Sequence, residues 1–287
     1  MDIFFSNGYY GNKPLQSSVT ELLNAGCDNI EVSCGETNRE DLNFLKRLKG
    51  SGKKIRIHNY FPNLNSDFVM NLASFDKEIL AQTKDLIFTS LRWSHELDSN
   101  YYAFHCGFLF DPKPDELGGN FSVKELSTYS ASKDAFREEL HLVKCYADKL
   151  GIEIAVENNV YDNSNYDKFG ENIPLLAVSE DNIEDILIDG VGLLLDFGHL
   201  KVSAATTNKD RDKLCRRWLP HTTGFHLSDN NGLRDQNNMF DESAWFLKYL
   251  GRELKPTTVE VYTSNPNSLL ALGRFIEKGV ESKQWMT

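Results

Sequence analysis

Short apolar runs alternate with longer stretches of helical spacing along almost the whole chain. Asp2–Ser6, Asn29–Ser33, Lys54–His58 and Tyr101–His105 are rich in Ile, Val, Phe and Tyr and read as strands. Ile152–Val156, Val191–Leu195, Thr223–Leu227 and Thr257–Val261 continue the series. Between them the pattern predicts helices over Ser17–Ala25, Thr37–Lys49, Asp76–Asp98, Ser132–Leu150, Ser179–Ile188, Asp210–Trp218, Glu242–Leu250 and Asn267–Lys278. Leu42, Leu45 and Leu48 show the spacing in one of them, and Gly26, Gly50 and Gly151 supply stops. Strict alternation demands a parallel sheet covered by helices. Eight strand–helix units with no compositional linker, in a chain of 287 residues, point to a single-domain (β/α)8 TIM barrel over residues 1–287. No glycine-rich phosphate loop follows any strand, which argues against a dinucleotide-binding open sheet.

In such a barrel, chemistry sits at the carboxyl ends of the strands. Six successive strands carry a metal-capable residue there: His58, His105, Glu157, Asp196, His226 and Glu260. One alone would read as a rim hydrogen-bonder or a helix cap, but six in register describe an acidic, imidazole-lined mouth. Two places back on the inward face lie Ala103, Ala155, Leu194, Gly224 and Thr258, mostly small enough for a narrow interior. Gly198 is expected to bend the chain so that His199 returns to the same mouth. The long segments Asn59–Phe75 and Gly107–Thr128 follow strands, so they should wall the site. Tyr60, Phe61, Phe108 and Tyr262 are candidates for an aromatic rim, and Arg234, Lys201 and Arg56 for contact with an anionic group.

Glu157, Asp196, His226 and Glu260 offer three carboxylates and one imidazole, a donor set for Mn2+, Mg2+, Co2+ or Zn2+. Without an ion, three carboxylates so close would repel and at least one would hold a proton. The net charge of −11 lowers the prior for a nucleic-acid ligand, which needs a basic face. No apolar run approaches a membrane span, and the amino-terminal segment lacks the basic head of a signal peptide. The five cysteines are scattered and odd in number, which fits a reducing compartment; a cytoplasmic protein is expected.

Ile30-Glu31-Val32-Ser33, His58-Asn59-Tyr60-Phe61-Pro62, the segment Phe68–Ser74, Phe104-His105, Val156-Glu157-Asn158, Asp196-Phe197-Gly198-His199, His226-Leu227-Ser228-Asp229-Asn230 and Val259-Glu260 follow one another in a telling order. In that order and spacing the chain resembles the sugar phosphate isomerase/epimerase superfamily of xylose isomerase-like TIM barrels, which includes endonuclease IV. The resemblance implies a metal held by Glu157, Asp196, His226 and Glu260, with Glu157 and Glu260 as the acid–base pair. It implies a substrate contact from His199, and a second ion at His58, His105 and Glu157 in nuclease-like members; His105, His58 and Arg234 are further candidates for substrate contact. A third nuclease ion would need His199 plus an Asp-x-His, but here the loop reads Asp235-Gln236-Asn237.

The expected activity is therefore isomerisation or epimerisation of a small sugar or sugar phosphate, with no nucleic-acid or membrane partner and a homo-oligomer left open. An endonuclease IV-like phosphodiester hydrolase, a sugar or cyclitol dehydratase, and a barrel that only binds its ligand are the alternatives.

Overall fold

The eight apolar runs form eight parallel strands in the computed structural model, which describes residues 2–11, 13–38, 40–62, 68–123, 125–178, 183–251 and 255–285. They are β1 (Ile3–Ser6), β2 (Asn29–Val32), β3 (Lys54–His58), β4 (Tyr101–His105), β5 (Glu153–Glu157), β6 (Gly192–Asp196), β7 (Thr222–Leu227) and β8 (Thr257–Val259). Each pairs with the next and β8 returns to β1, closing the barrel. The fold is the expected (β/α)8 barrel in one domain.

The helices among the described residues are α1 (Leu15–Asn24), α2 (Asp41–Gly50), α3 (Lys77–Glu96), α4 (Tyr129–Leu150), α5 (Asn163–Phe169), α6 (Ile183–Ile186), α7 (Phe197–Thr206), α8 (Arg211–Trp218) and α9 (Pro266–Glu281). α4 shows why such segments fold as they do. Thr128 Oγ1 caps its first turn by accepting from Ala131 N, and Gly151 ends it at φ +69°. Phe136, Leu140, Val143 and Ala147 recur on one face and are fully buried against the barrel. Burial of each large apolar side chain contributes roughly 1.5–3 kcal/mol.

Three local expectations change. Glu242–Leu250 is not an α-helix; only a 3-10 turn, Leu247–Tyr249, forms there. Asp241 Oδ1 accepts from the backbone N and the hydroxyl of Ser243, which starts a turn instead. Phe246 then packs between Phe197 and Phe240, with ring centroids 5.0 and 4.9 Å away. Of the expected helix Ser179–Ile188, residues 179–182 lie outside the described set and α6 spans only Ile183–Ile186. α5 and α7 are additions to the expected elements. α7 is buried on nearly every side, so it carries no amphipathic stripe to betray it.

The barrel interior has the expected small-residue layer. Tyr101, Ala103, Ala155 and Leu194 pack together beneath the mouth. A Cβ at position 224 would lie 2.3 Å from Tyr101 Oη, so glycine there makes room for the tyrosine. At Gly198 the same test gives 2.6 Å to Ser228 Oγ. Gly198 therefore allows α7 to pack closely on the loop after β7, and it does not bend the chain.

Gly224→Ala should lower stability by about 1–3 kcal/mol through overpacking. Gly50→Ala, where an added Cβ meets nothing within 4 Å, should be neutral or stabilising by up to about 1 kcal/mol. Urea unfolding of the two variants checks the contrast.

Candidate active site

Barrel register brings the expected residues to one point. His58, His105, Glu157 and Asp196 are the last residues of β3, β4, β5 and β6. His226 is the penultimate residue of β7, and Glu260 directly follows β8. His105 sits directly opposite Glu157, and Asp196 directly opposite His226. Glu157 is 1% exposed, with Oε2 3.2 Å from His58 Nε2 and 3.5 Å from His105 Nδ1. Its Oε1 is 3.4 Å from His226 Nδ1 and 3.6 Å from His199 Nδ1.

His226 Nδ1 is the focus of the acidic residues. Glu260 Oε2 lies 2.8 Å from it, and Asp196 Oδ2 3.8 Å. One ligand atom from each of Glu157, Asp196, His226 and Glu260 lies within 4.8 Å of all the others. Both Glu157 oxygens, Asp196 Oδ2 and His226 Nδ1 are buried and make no hydrogen bond. Buried polar atoms are normally satisfied. Four donors left open towards one point fit a divalent cation, and the mix of carboxylate and imidazole suits Mn2+, Co2+ or Zn2+ chemistry as well as Mg2+.

Asp196 has two tasks. Its Oδ1 accepts from His199 N at 2.7 Å and so caps α7, while Oδ2 stays free for the mouth. Asn158 locks the strand end by donating Nδ2 to Asp196 O and accepting from Asp196 N. His199 Nδ1 donates to Asn158 O at 2.9 Å, which turns Nε2 towards Asp235 Oδ2, 3.3 Å away.

Residues 19–258 match the sequence profile of the xylose isomerase-like TIM barrel. The chain belongs to that family. A comparison with curated proteins gave no significant match. Among solved structures, a D-tagatose 3-epimerase-like protein is 20% identical with a TM-score of 0.74, and the alignment covers 99% of each chain. A D-psicose 3-epimerase from Clostridium cellulolyticum is 13% identical with a TM-score of 0.62, over 99% of this chain and 94% of the other. A Thermus thermophilus protein soaked with ZnCl2 is 18% identical with a TM-score of 0.58, over 96% and 98% of the two chains. Identities this low establish the fold alone.

Within this xylose isomerase-like barrel, a cavity of about 280 Å3 opens beside the mouth, lined among others by His105, His199, Tyr60, Phe108, Phe121 and Arg234. The two long loops do wall it. Asn71 joins them, donating Nδ2 to Phe110 O and Asp111 Oδ1 and accepting from Phe108 N. Of the expected aromatic rim, Tyr60 and Phe108 line the cavity, whereas Phe61 is core, packed edge-on to Trp93. Tyr262 lies half-exposed beside Tyr9. Of the expected cations only Arg234 lines the cavity. Lys201 Nζ is held by Asp229 Oδ1 at 2.6 Å and by Asn230 O. Arg56 is buried inside the barrel, over the Phe4 ring.

The expected second-ion set is arranged differently. His105 groups with Glu157 and His199, and His58 with Glu31 and His226. Asp235 reaches His199 as the third-ion pattern requires, but beside it Asn237 offers an amide oxygen, buried and without a hydrogen bond. Glu31 is a site residue that the sequence reading misses. It lies on β2, 2% exposed, with Oε1 2.9 Å from His226 Nε2. A carboxylate between Ile30 and Val32 in a buried strand is the available signal.

Charge in the mouth is shared among its members. Burial opposes ionisation of Glu157, yet His105, His226 and His58 hold it well below the usual carboxylate range. Burial would neutralise His226 too, but Glu31, Glu260 and Glu157 keep its pKa well above the ordinary imidazole value. Asp196 is pushed up to about 7, first by burial, against the pull of His199 and with help from Glu157, Asp235 and Glu260. Near neutral pH, then, the metal-free mouth stores protons on His226 and Asp196. A cation occupying this site must displace them. Metal uptake at pH 7 should release about one to two protons, so affinity should already be falling as pH drops towards 7 from above and should continue to fall below it. Titration calorimetry in buffers of different ionisation enthalpy checks this; proton-neutral binding contradicts it.

Proposed function

We propose that the protein is a metal-dependent isomerase or epimerase acting on a small sugar or sugar phosphate. The observation that carries this is the approach of Glu157, from β5, and Glu260, after β8, to the same atom, His226 Nδ1. Two carboxylates that flank one metal pocket can both reach a carbon held between them.

Glu157, Asp196, Glu260 and His226 Nδ1 would hold the divalent cation. When bound, it would polarise neighbouring sugar oxygens and make the hydrogen next to the carbonyl more acidic. One glutamate takes that proton, and the C–H electron pair moves into the bond towards the carbonyl carbon to give an enediolate. The other glutamate, protonated, returns a proton to the opposite face for epimerisation, or to the neighbouring carbon for isomerisation. His199, fixed by Asn158 O and Asp235, and His105 present ring nitrogens to substrate hydroxyls. Tyr60 and Phe108 cover sugar carbons, and Arg234 at the cavity edge meets a phosphate or other anionic end. His58, wedged beside Glu157, completes the polar floor. A cavity of about 280 Å3 has room for one small sugar.

The hydrolase alternative draws on His58 and His105 beside Glu157. Asn237 in place of the third-site imidazole and the net charge of −11 both count against it. Metal analysis should find one tightly held ion per chain and no incision of abasic DNA.

In the metal-loaded protein, Glu157→Gln and Glu260→Gln should each lower turnover by about 100- to 10,000-fold, the usual share of a general acid or base. Both should still bind a ketose to some degree. The assay is deuterium incorporation from D2O at carbon across ketoses, aldoses and their phosphates. Activity surviving both substitutions removes the acid–base assignment, and no exchange with any sugar removes the isomerase reading.

A further inference from the structure

Glu31, Thr258 and Arg56 form a buried polar chain beneath His226 that the proposed proton transfers do not use. Glu31 is 2% exposed and His226 fully buried. Glu31 Oε2 accepts from Thr258 Oγ1 at 2.8 Å and lies 3.7 Å from Arg56 Nη1. Oε1 faces His226 Nε2 at 2.9 Å, and neither of those two atoms makes an aligned hydrogen bond to any group. The contacts bridge strands far apart in sequence, since Glu31 is on β2 and its partners His226 and Thr258 are on β7 and β8. Thr258 is the register neighbour of His226, and Arg56 that of Glu31. The two strand pairs thus deliver an anion, its counter-ion and a hydroxyl to one side of a single imidazole.

An imidazole with one ring nitrogen facing a cation site and the other facing a carboxylate has its tautomer decided for it. Nδ1 faces Glu157, Asp196 and Glu260; Nε2 faces Glu31. We infer that Glu31 is a positioning residue: its carboxylate keeps the proton on His226 Nε2, leaving Nδ1 as the free donor to a divalent cation, while Arg56 and Thr258 hold Glu31 in place. A carboxylate behind a histidine ligand also makes the ring a stronger donor, and loss of such partners typically costs about 10- to 100-fold in metal affinity. Arg56 then acts as a counter-ion within the barrel instead of an anion clamp at its mouth. Glu31 does not touch substrate.

This rests on the metal reading of the mouth but on no particular sugar, so its test uses Co2+ alone and its failure is distinct from failure of the sugar reading. Co2+ affinity and the visible absorption of bound Co2+ are measured for the wild type, Glu31→Ala and Glu31→Gln, with circular dichroism to confirm folding. Expected are a roughly 10- to 100-fold loss of affinity and an altered spectrum for Glu31→Ala. Glu31→Gln, whose amide oxygen can still accept from Nε2, should lose less. Proton NMR of the Co2+-loaded wild type should show one shifted, slowly exchanging ring N–H signal that disappears in Glu31→Ala. Unchanged affinity and spectrum in both folded variants overturn the inference. So does a second Co2+ per chain that is lost with Glu31, which would make Glu31 a ligand.

Discussion

A single buried carboxylate sets the terms for this barrel. Glu157 is 1% exposed and lies within 3.6 Å of four imidazoles, yet neither of its oxygens makes a hydrogen bond. An uncompensated buried charge costs several kcal/mol. The surroundings answer with shifts in opposite directions: Glu157 is held down, His226 and His199 are held up, and burial sends His105 down to about 4. The compensation is shared: protons sit on His226, His199 and partly on Asp196. A divalent cation would supply compensation from one point, and the donor atoms left open fit that role.

The scaffold keeps that arrangement rigid. Each donor stands at or beside a strand end, where the hydrogen-bonded ladder fixes the backbone, and small residues beneath leave room for a polar layer. Asn158 and Asn159 tie the end of β5 to its neighbours, Asn159 donating to Cys106 O and Leu176 O. Sites built on such elements hold their geometry better than sites on loops. The loops after β3 and β4 shape the cavity instead, linked through Asn71.

Much of this is legible in the sequence because two periodicities coincide. Alternation within each apolar run marks the strands, and a polar residue at the same relative position of six strands marks the mouth. Asp196 shows that a cap and a candidate ligand need not exclude each other, since one oxygen caps α7 and the other faces His226. What escapes notice lacks a periodic signal. α7 is buried all round, and Glu242–Leu250 has helical spacing but is reorganised by Phe246 between two other rings. Glu31 is easily overlooked because its partners are 195 and 227 positions away, brought near only when the barrel closes. The same closure moves Arg56 from an expected substrate clamp to an interior counter-ion.

The central claim, that the mouth is organised around one divalent cation, is tested most directly by anomalous diffraction from crystals grown with Mn2+. One anomalous peak, about 2.0–2.3 Å from Glu157, Asp196, Glu260 and His226 Nδ1, is the predicted result. A peak bounded by other residues, or a fully ordered mouth in which the carboxyl groups pair directly with the imidazoles and no ion is bound, would contradict it.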